Sequence, residues 1–251
     1  MKIFTRFYSL LLIILIGISF TTKTFAQCAG GNNNGTVAFA CNSELIQNPQ
    51  NQGDYRQFSV ITNISYNFNT TGTTYDTRIY GNVTGVGGAN QFDQDADNVV
   101  GNNESIDWTA TYTGTLGVGV HYFSCATWNG LSAILRYKQN TTVSNTTDNS
   151  SLCNGQNRVL TASLGGLHNN PTVSWTVAAG GGSISSGTYI SGTYSGGVTV
   201  RATVGVCISD VNFLVLPPLT ATLSGGSTNI CYNTAPSQFT ATGSGGTGSY
   251  T

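Results

Sequence analysis

Residues 105–122 read SIDWTATYTGTLGVGVHY, and the spacing of their apolar side chains decides the fold class. Ile106, Trp108, Ala110 and Tyr112 take every second position, with Asp107, Thr109 and Thr111 between them. Successive side chains of an extended chain point to opposite faces, so this pattern sends one face into a core and the other to water. Gly114 offers a turn, after which Val118, Val120 and Tyr122 resume the same period of two. A helix would need apolar residues three and four apart, and no stretch after residue 26 has that spacing. Strand-like runs also cover 36–40, 55–69, 75–83 and 131–138, then 159–164, 172–177, 182–190, 198–204 and 211–215. The expectation is an all-β protein made of tandem β-sandwiches.

The first 26 residues have the build of an export signal. Lys2 and Arg6 precede an apolar run over 7–20, and Thr24-Phe25-Ala26 ends in a small residue suited to cleavage. The run is shorter than the ~20 apolar residues of a membrane span, and no later segment could cross a bilayer. Cleavage would remove three of nine basic residues and none of the ten acids, leaving a net charge of −4. So few cations give nucleic-acid phosphate little to bind. Charged residues make up 8% of the chain, with Asn, Thr, Ser and Gly filling the polar positions. The expected location is secreted or on the outer cell surface.

A Cys-led segment occurs twice, CNGQNRVLTASLGG from Cys153 and CYNTAPSQFTATGSGG from Cys231. That period suits one small sandwich repeat, and it divides the mature chain. Residues 27–140 form a first sandwich of about eight strands, 145–218 a second domain closed by Pro217-Pro218, and 219–251 the start of a further repeat. All six cysteines follow the leader, in a compartment that permits disulfides. Cys153 and Cys207 bracket one repeat and are expected to pair. Cys231 would then seek a partner beyond Thr251, while Cys28, Cys41 and Cys125 allow three pairings that spacing does not separate.

Residues 172–204, TVSWTVAAGGGSISSGTYISGTYSGGVTVRATV, resemble bacterial Ig-like and PKD-like domains. The resemblance rests on an early-strand tryptophan, a glycine-rich hairpin and a closing V-T-V strand. The ending CYNTAPSQFTATGSGGTGSYT is similar to the repeats of large Bacteroidetes surface proteins of the adhesin type. ISYNFNTTGTTYDTRIYG, DQDADN and SIDWTATYTGTLGVGVHYFS resemble pre-peptidase C-terminal and CUB-like (jelly-roll) sandwiches. These resemblances imply modules that sit on adhesins, peptidases and glycosidases alike, so they speak to fold more than to function.

Five of the ten carboxylates fall between Asp93 and Asp107. Asp93, Asp95, Asp97 and Glu104, with the Val99 carbonyl, match positions 1, 3, 5, 12 and 7 of a calcium loop, although Asn98 stands where that pattern has glycine. Calcium is therefore a candidate ligand, against a plain acidic turn capped by its own backbone. Trp128-Asn129-Gly130 could offer an aromatic face to a sugar, whereas Trp108 and Trp175 read as core. His121 and His168 lie in no nucleophile or metal motif, and catalysis is not expected. The expected function is non-catalytic binding or adhesion, with glycans or cell-envelope and host surface proteins as partners and Ig-like repeats as a stalk. The rivals are an accessory region of a secreted hydrolase and a spacer with no ligand.

Overall fold

In the computed structural model, which describes residues 31–51, 53–83, 89–95, 103–122, 132–225 and 238–245, every described helix or strand is a strand. The first unit contains β1 (Asn33–Val37), β2 (Leu45–Asn51), β3 (Tyr55–Val60), β4 (Ser65–Asn69), β5 (Thr77–Val83), β6 (Asn90–Gln94), β7 (Ser105–Thr109), β8 (Gly114–Tyr122) and β9 (Ser132–Gln139). They form two sheets, ordered β1-β3-β8-β5-β6 and β2-β9-β4-β7. From β2 onward the chain crosses between the sheets at every connection except β5 to β6. That interleaving is an eight-stranded jelly roll, to which β1 adds a parallel edge beside β3.

The alternation seen in 105–122 explains the packing. Leu116, Val118 and Val120 of β8 point inward with Phe58, Val60, Ile79 and Phe92, and meet Tyr66, Phe68, Trp108, Leu135 and Tyr137 of the opposing sheet. Phe39 inserts between the sheets, with ring centroids 4.3 Å from Tyr66 and 5.0 Å from Phe58. Each fully buried large apolar side chain contributes about 1.5–3 kcal/mol.

Within this unit, β2 and β6 escape the sequence pattern. β2 contains Pro49, which lacks a ladder donor; it lies at a sheet edge, and its pairing with β9 slips between Gln47 and Gln50. β6 lies within the acidic segment and pairs with β5. The single run expected over 55–69 is β3 and β4, which belong to different sheets. Asn63 makes the corner at φ 67°, a left-handed conformation that asparagine tolerates.

The second unit holds β10 (Thr142–Asn145), β11 (Leu152–Cys153), β12 (Asn157–Val159), β13 (Ala162–Gly165), β14 (Ser174–Ala179), β15 (Ser183–Ser185), β16 (Thr188–Ile190), β17 (Gly196–Val204) and β18 (Cys207–Leu216). One sheet runs β11-β18-β17-β14; against it stand β12-β16-β15 and the pair β10-β13. This is the two-layer arrangement of an Ig-like domain, around Tyr189, Val198, Val200, Phe213 and Val215. Trp175 on β14 packs on this core and also on the first. Gly180-Gly181-Gly182 connect β14 to β15. Gly182 has φ +89°, and a Cβ there would lie 2.6 Å from the Tyr189 hydroxyl. Beyond Pro217-Pro218, β19 (Thr220–Gly225) and β20 (Phe239–Ser244) form an antiparallel pair with Leu223 and Phe239 exposed.

The expected Cys153–Cys207 bridge does not form. Cys207 is joined to Cys41, across 166 residues of sequence and with Cα atoms 4.8 Å apart, and Cys153 is an exposed free thiol. Register explains why. Cys153 pairs alongside Leu216 at one end of β18, whereas Cys207 begins that 10-residue strand. The two ends are about 30 Å apart, far beyond disulfide reach. Cys41 is thereby removed from the N-terminal set; Cys28, Cys125 and Cys231 lie outside the described residues.

The bridge joins the two units, and their interiors are not independent. Ala202, Val204 and Cys207 belong to the same buried cluster as Phe39, Ile64 and Val143. Gln139, 1% exposed at the end of β9, donates to the carbonyls of Thr141 (2.7 Å) and Val204 (2.9 Å) and accepts from the Val206 amide (3.0 Å). Gly205 makes room for it, since a Cβ at φ +59° would lie 2.1 Å from Gln139 Oε1. Ser65 donates its amide to Thr141 Oγ1, whose hydroxyl donates to the Leu167 carbonyl at 2.7 Å. Because Gln139→Ala strands these buried backbone groups, it is expected to cost about 2 kcal/mol in denaturant unfolding. An unchanged midpoint would mean that solvent already reaches the junction.

Candidate functional site

The same junction builds a polar groove of about 350 Å³ on the outer face of the four-stranded sheet. Asn42, Glu44, Asn67, Asp107, Lys138 and Asn140 line it from the first unit, and Gly166 and Leu167 close it from the second. Alternation places these side chains. In β4, Tyr66 and Phe68 turn inward, so Asn67 and Asn69 face out; in β7, Trp108 turns inward and Asp107 faces out. Asn42 follows the disulfide directly. It sits at φ 48°, with its amide bonded to the Gln139 carbonyl at 2.9 Å, so the bridge sets one wall of the groove.

Hydrogen bonds hold the groove in shape. Asp107 Oδ1 accepts from Asn67 Nδ2 at 2.9 Å and from Asn140 Nδ2 at 2.6 Å. Asn69 Nδ2 donates to Glu44 Oε2 and to Asn67 Oδ1, and Arg136 Nη1 meets Glu44 Oε1 at 2.9 Å. Burial alone would raise the Glu44 pKa; the hydrogen bonds from Asn69 and Arg136 outweigh it and hold the carboxyl below its ordinary value. The register aligns Lys138, Asn67 and Asp107 in one row across β9, β4 and β7. Fixed amides, carboxylates and one ammonium can hydrogen-bond a polyhydroxylated ligand, and a junction between two domains is a preferred place for such a pocket.

The expected calcium set is only partly described. Asp93, on β6, forms a two-pronged ion pair with Arg78, whose Nη2 lies 2.6 Å from Asp93 Oδ2; Arg78 Nη1 also stands 3.8 Å from Asp95. Glu104 is fully buried, with its amide bonded to Thr70 Oγ1 at 2.8 Å. Asp97 and Val99 lie outside the described residues, and among the described residues no three His, Cys, Asp or Glu side chains gather as metal ligands. Trp128 also lies outside them. Trp108, 8% exposed, is a core residue as expected.

The outer face of the five-stranded sheet carries a second polar group. Tyr80 lies over Gly119, where a Cβ would meet its ring at 2.2 Å, and beside His121 at 4.9 Å between ring centroids. Asn82 is fully buried, and neither atom of its amide finds a hydrogen-bond partner. His168, the other histidine, bridges to Ile64 at the junction. Sequence reasoning singled out none of the groove residues as ligands. Alternation marks Asn67 and Asp107 as outward positions, but only the topology brings Asn42, Lys138, Asn140 and Leu167 around them.

No family model matches the chain, and no curated protein matches it. Among solved structures, the chain is similar to the M60 catalytic domain with the CBM51-1 and CBM51-2 domains from Clostridium perfringens ZmpB. The match has 13% sequence identity and a TM-score of 0.24, covering 68% of this chain and 20% of that one. This chain thus spans about a fifth of the length of the structure it resembles.

Proposed function

We propose that the protein is a non-catalytic extracellular binding protein whose two locked sandwiches hold a glycan in the junction groove. The reading rests on one observation above all, the pre-organised row of Lys138, Asn67 and Asp107 beneath Asn140 and Asn42. Sugars present paired hydroxyls, and a carboxylate already oriented by two amides accepts from them without first giving up a mobile hydration shell. The sparse charge of the whole chain and its export-type leader fit a partner that is polar and outside the cell. Binding by repeated modules at a surface would add avidity to a modest single-site affinity.

A glycan array probed with the full-length protein tests the reading. Binding to at least one glycan class is expected, with Asp107→Ala weakening it about tenfold or more through the lost charge-assisted hydrogen bonds. An array showing no binding by protein that retains its β circular dichroism would end it.

A further inference from the structure

The groove also specifies what kind of sugar it holds; this inference rests on its being a glycan site. Six cations follow the leader, namely Arg56, Arg78, Arg136, Lys138, Arg158 and Arg201. Four are ion-paired, to Asp93, Glu44, Asp148 and Asp210. Lys138 lines the groove, and among the described residues no carboxylate lies within ion-pairing distance of it. The nearby acids are already hydrogen-bonded: Glu44 by Asn69 and Arg136, with Lys138 adding only a weaker, longer-range attraction, and Asp107 by Asn67 and Asn140. Asn67 stands between Lys138 and Asp107 in the cross-strand row, keeping their Cα positions about 10 Å apart.

We propose that the groove binds a carboxylated glycan, of the uronic or sialic acid type, and that Lys138 is the residue that recognises its carboxylate. The charges then fix the ligand's orientation. The carboxylate goes to the ammonium, and the hydroxyls go to Asp107, which would repel the acid if the sugar were reversed. A groove of about 350 Å³ lies at the small end for ligand pockets and suits one or two sugar rings. Leu167, 54% exposed at the rim, offers the apolar contact that a ring face or an acetyl group needs.

Calorimetric titration of the full-length protein tests this with two pairs of ligands. One pair is an oligogalacturonate and its carboxyl-reduced form; the other is a sialylated trisaccharide and its carboxyl-reduced form. For at least one pair the acid is expected to bind about tenfold more tightly than the reduced sugar, with the difference shrinking in high salt. Lys138→Gln should abolish the preference, so that acid and reduced form bind alike, while Lys138→Arg keeps the preference. The pair that shows the preference identifies the source of the acid. Equal binding of acid and reduced forms, unaffected by Lys138→Gln, would overturn the role of Lys138 and leave the glycan reading standing. If neither form binds and the array is also blank, the glycan reading itself fails and this inference with it.

Discussion

Replacing Cys41 by serine is expected to lower the unfolding free energy by about 5 kcal/mol, the largest loss foreseen for a single substitution in this protein. The bridge to Cys207 closes a loop across 166 residues of sequence. Chain entropy gives a cross-link of that span about 5 kcal/mol, at the top of the range disulfides contribute. For a body of this size the melting temperature should fall by about 10–20 °C. The loss should also change the form of unfolding, because the clamp couples two sandwiches that share Ala202, Val204 and Cys207 with the first core. Without it, the single cooperative transition should broaden or divide into two. Cys153→Ser is the control, since that thiol is exposed and unpaired. A normal midpoint for Cys41→Ser, or a peptide map linking Cys207 to Cys153, would contradict the junction described here.

The bridge also shows where sequence reasoning stops. Local pattern carries most of the first unit. The alternation of Ile106, Trp108 and Ala110 is β7 and its inward face, and Leu116, Val118 and Val120 give β8 the same way. It misses β2, because Pro49 and a run of amides hide an edge strand, and it merges β3 with β4, because a lone asparagine at positive φ leaves no periodicity break. Pairing between cysteines is non-local. Repeat logic ties Cys153 to Cys207 on the assumption that each sandwich closes on itself, and the register of β11 on β18 places Cys153 beside the far end of the strand that Cys207 begins. The groove is half legible for a similar reason. Asp107 and Asn67 can be read as solvent-facing from their neighbours, yet nothing in the sequence says that a loop of the second unit folds over them.

Lowering the pH from about 7 to about 4.5 is expected to cost about 2.5 kcal/mol through one side chain, His121. It is 3% exposed on β8, and its Nε2 finds no hydrogen-bond partner. Burial first, and then the positive charge of Arg78 beside it, pull its pKa from 6.5 down to about 4; Asp93 opposes the shift without cancelling it. The imidazole is therefore neutral in the fold at a pH where the unfolded chain already binds a proton. A depressed pKa gives stability that is present above 6.5 and drains as the pH falls toward 4. At about 1.4 kcal/mol per unit, the full loss approaches about 3 kcal/mol below pH 4. Glu44, Asp54, Asp148 and Asp210 have carboxyls held below their ordinary values, so they add acid sensitivity mainly at lower pH. Denaturant titrations across this window separate the two groups. His121→Gln should flatten the slope between about pH 6.5 and pH 4.5 and leave the carboxylate limb intact. A variant with the parent slope in that interval would assign the acid sensitivity elsewhere.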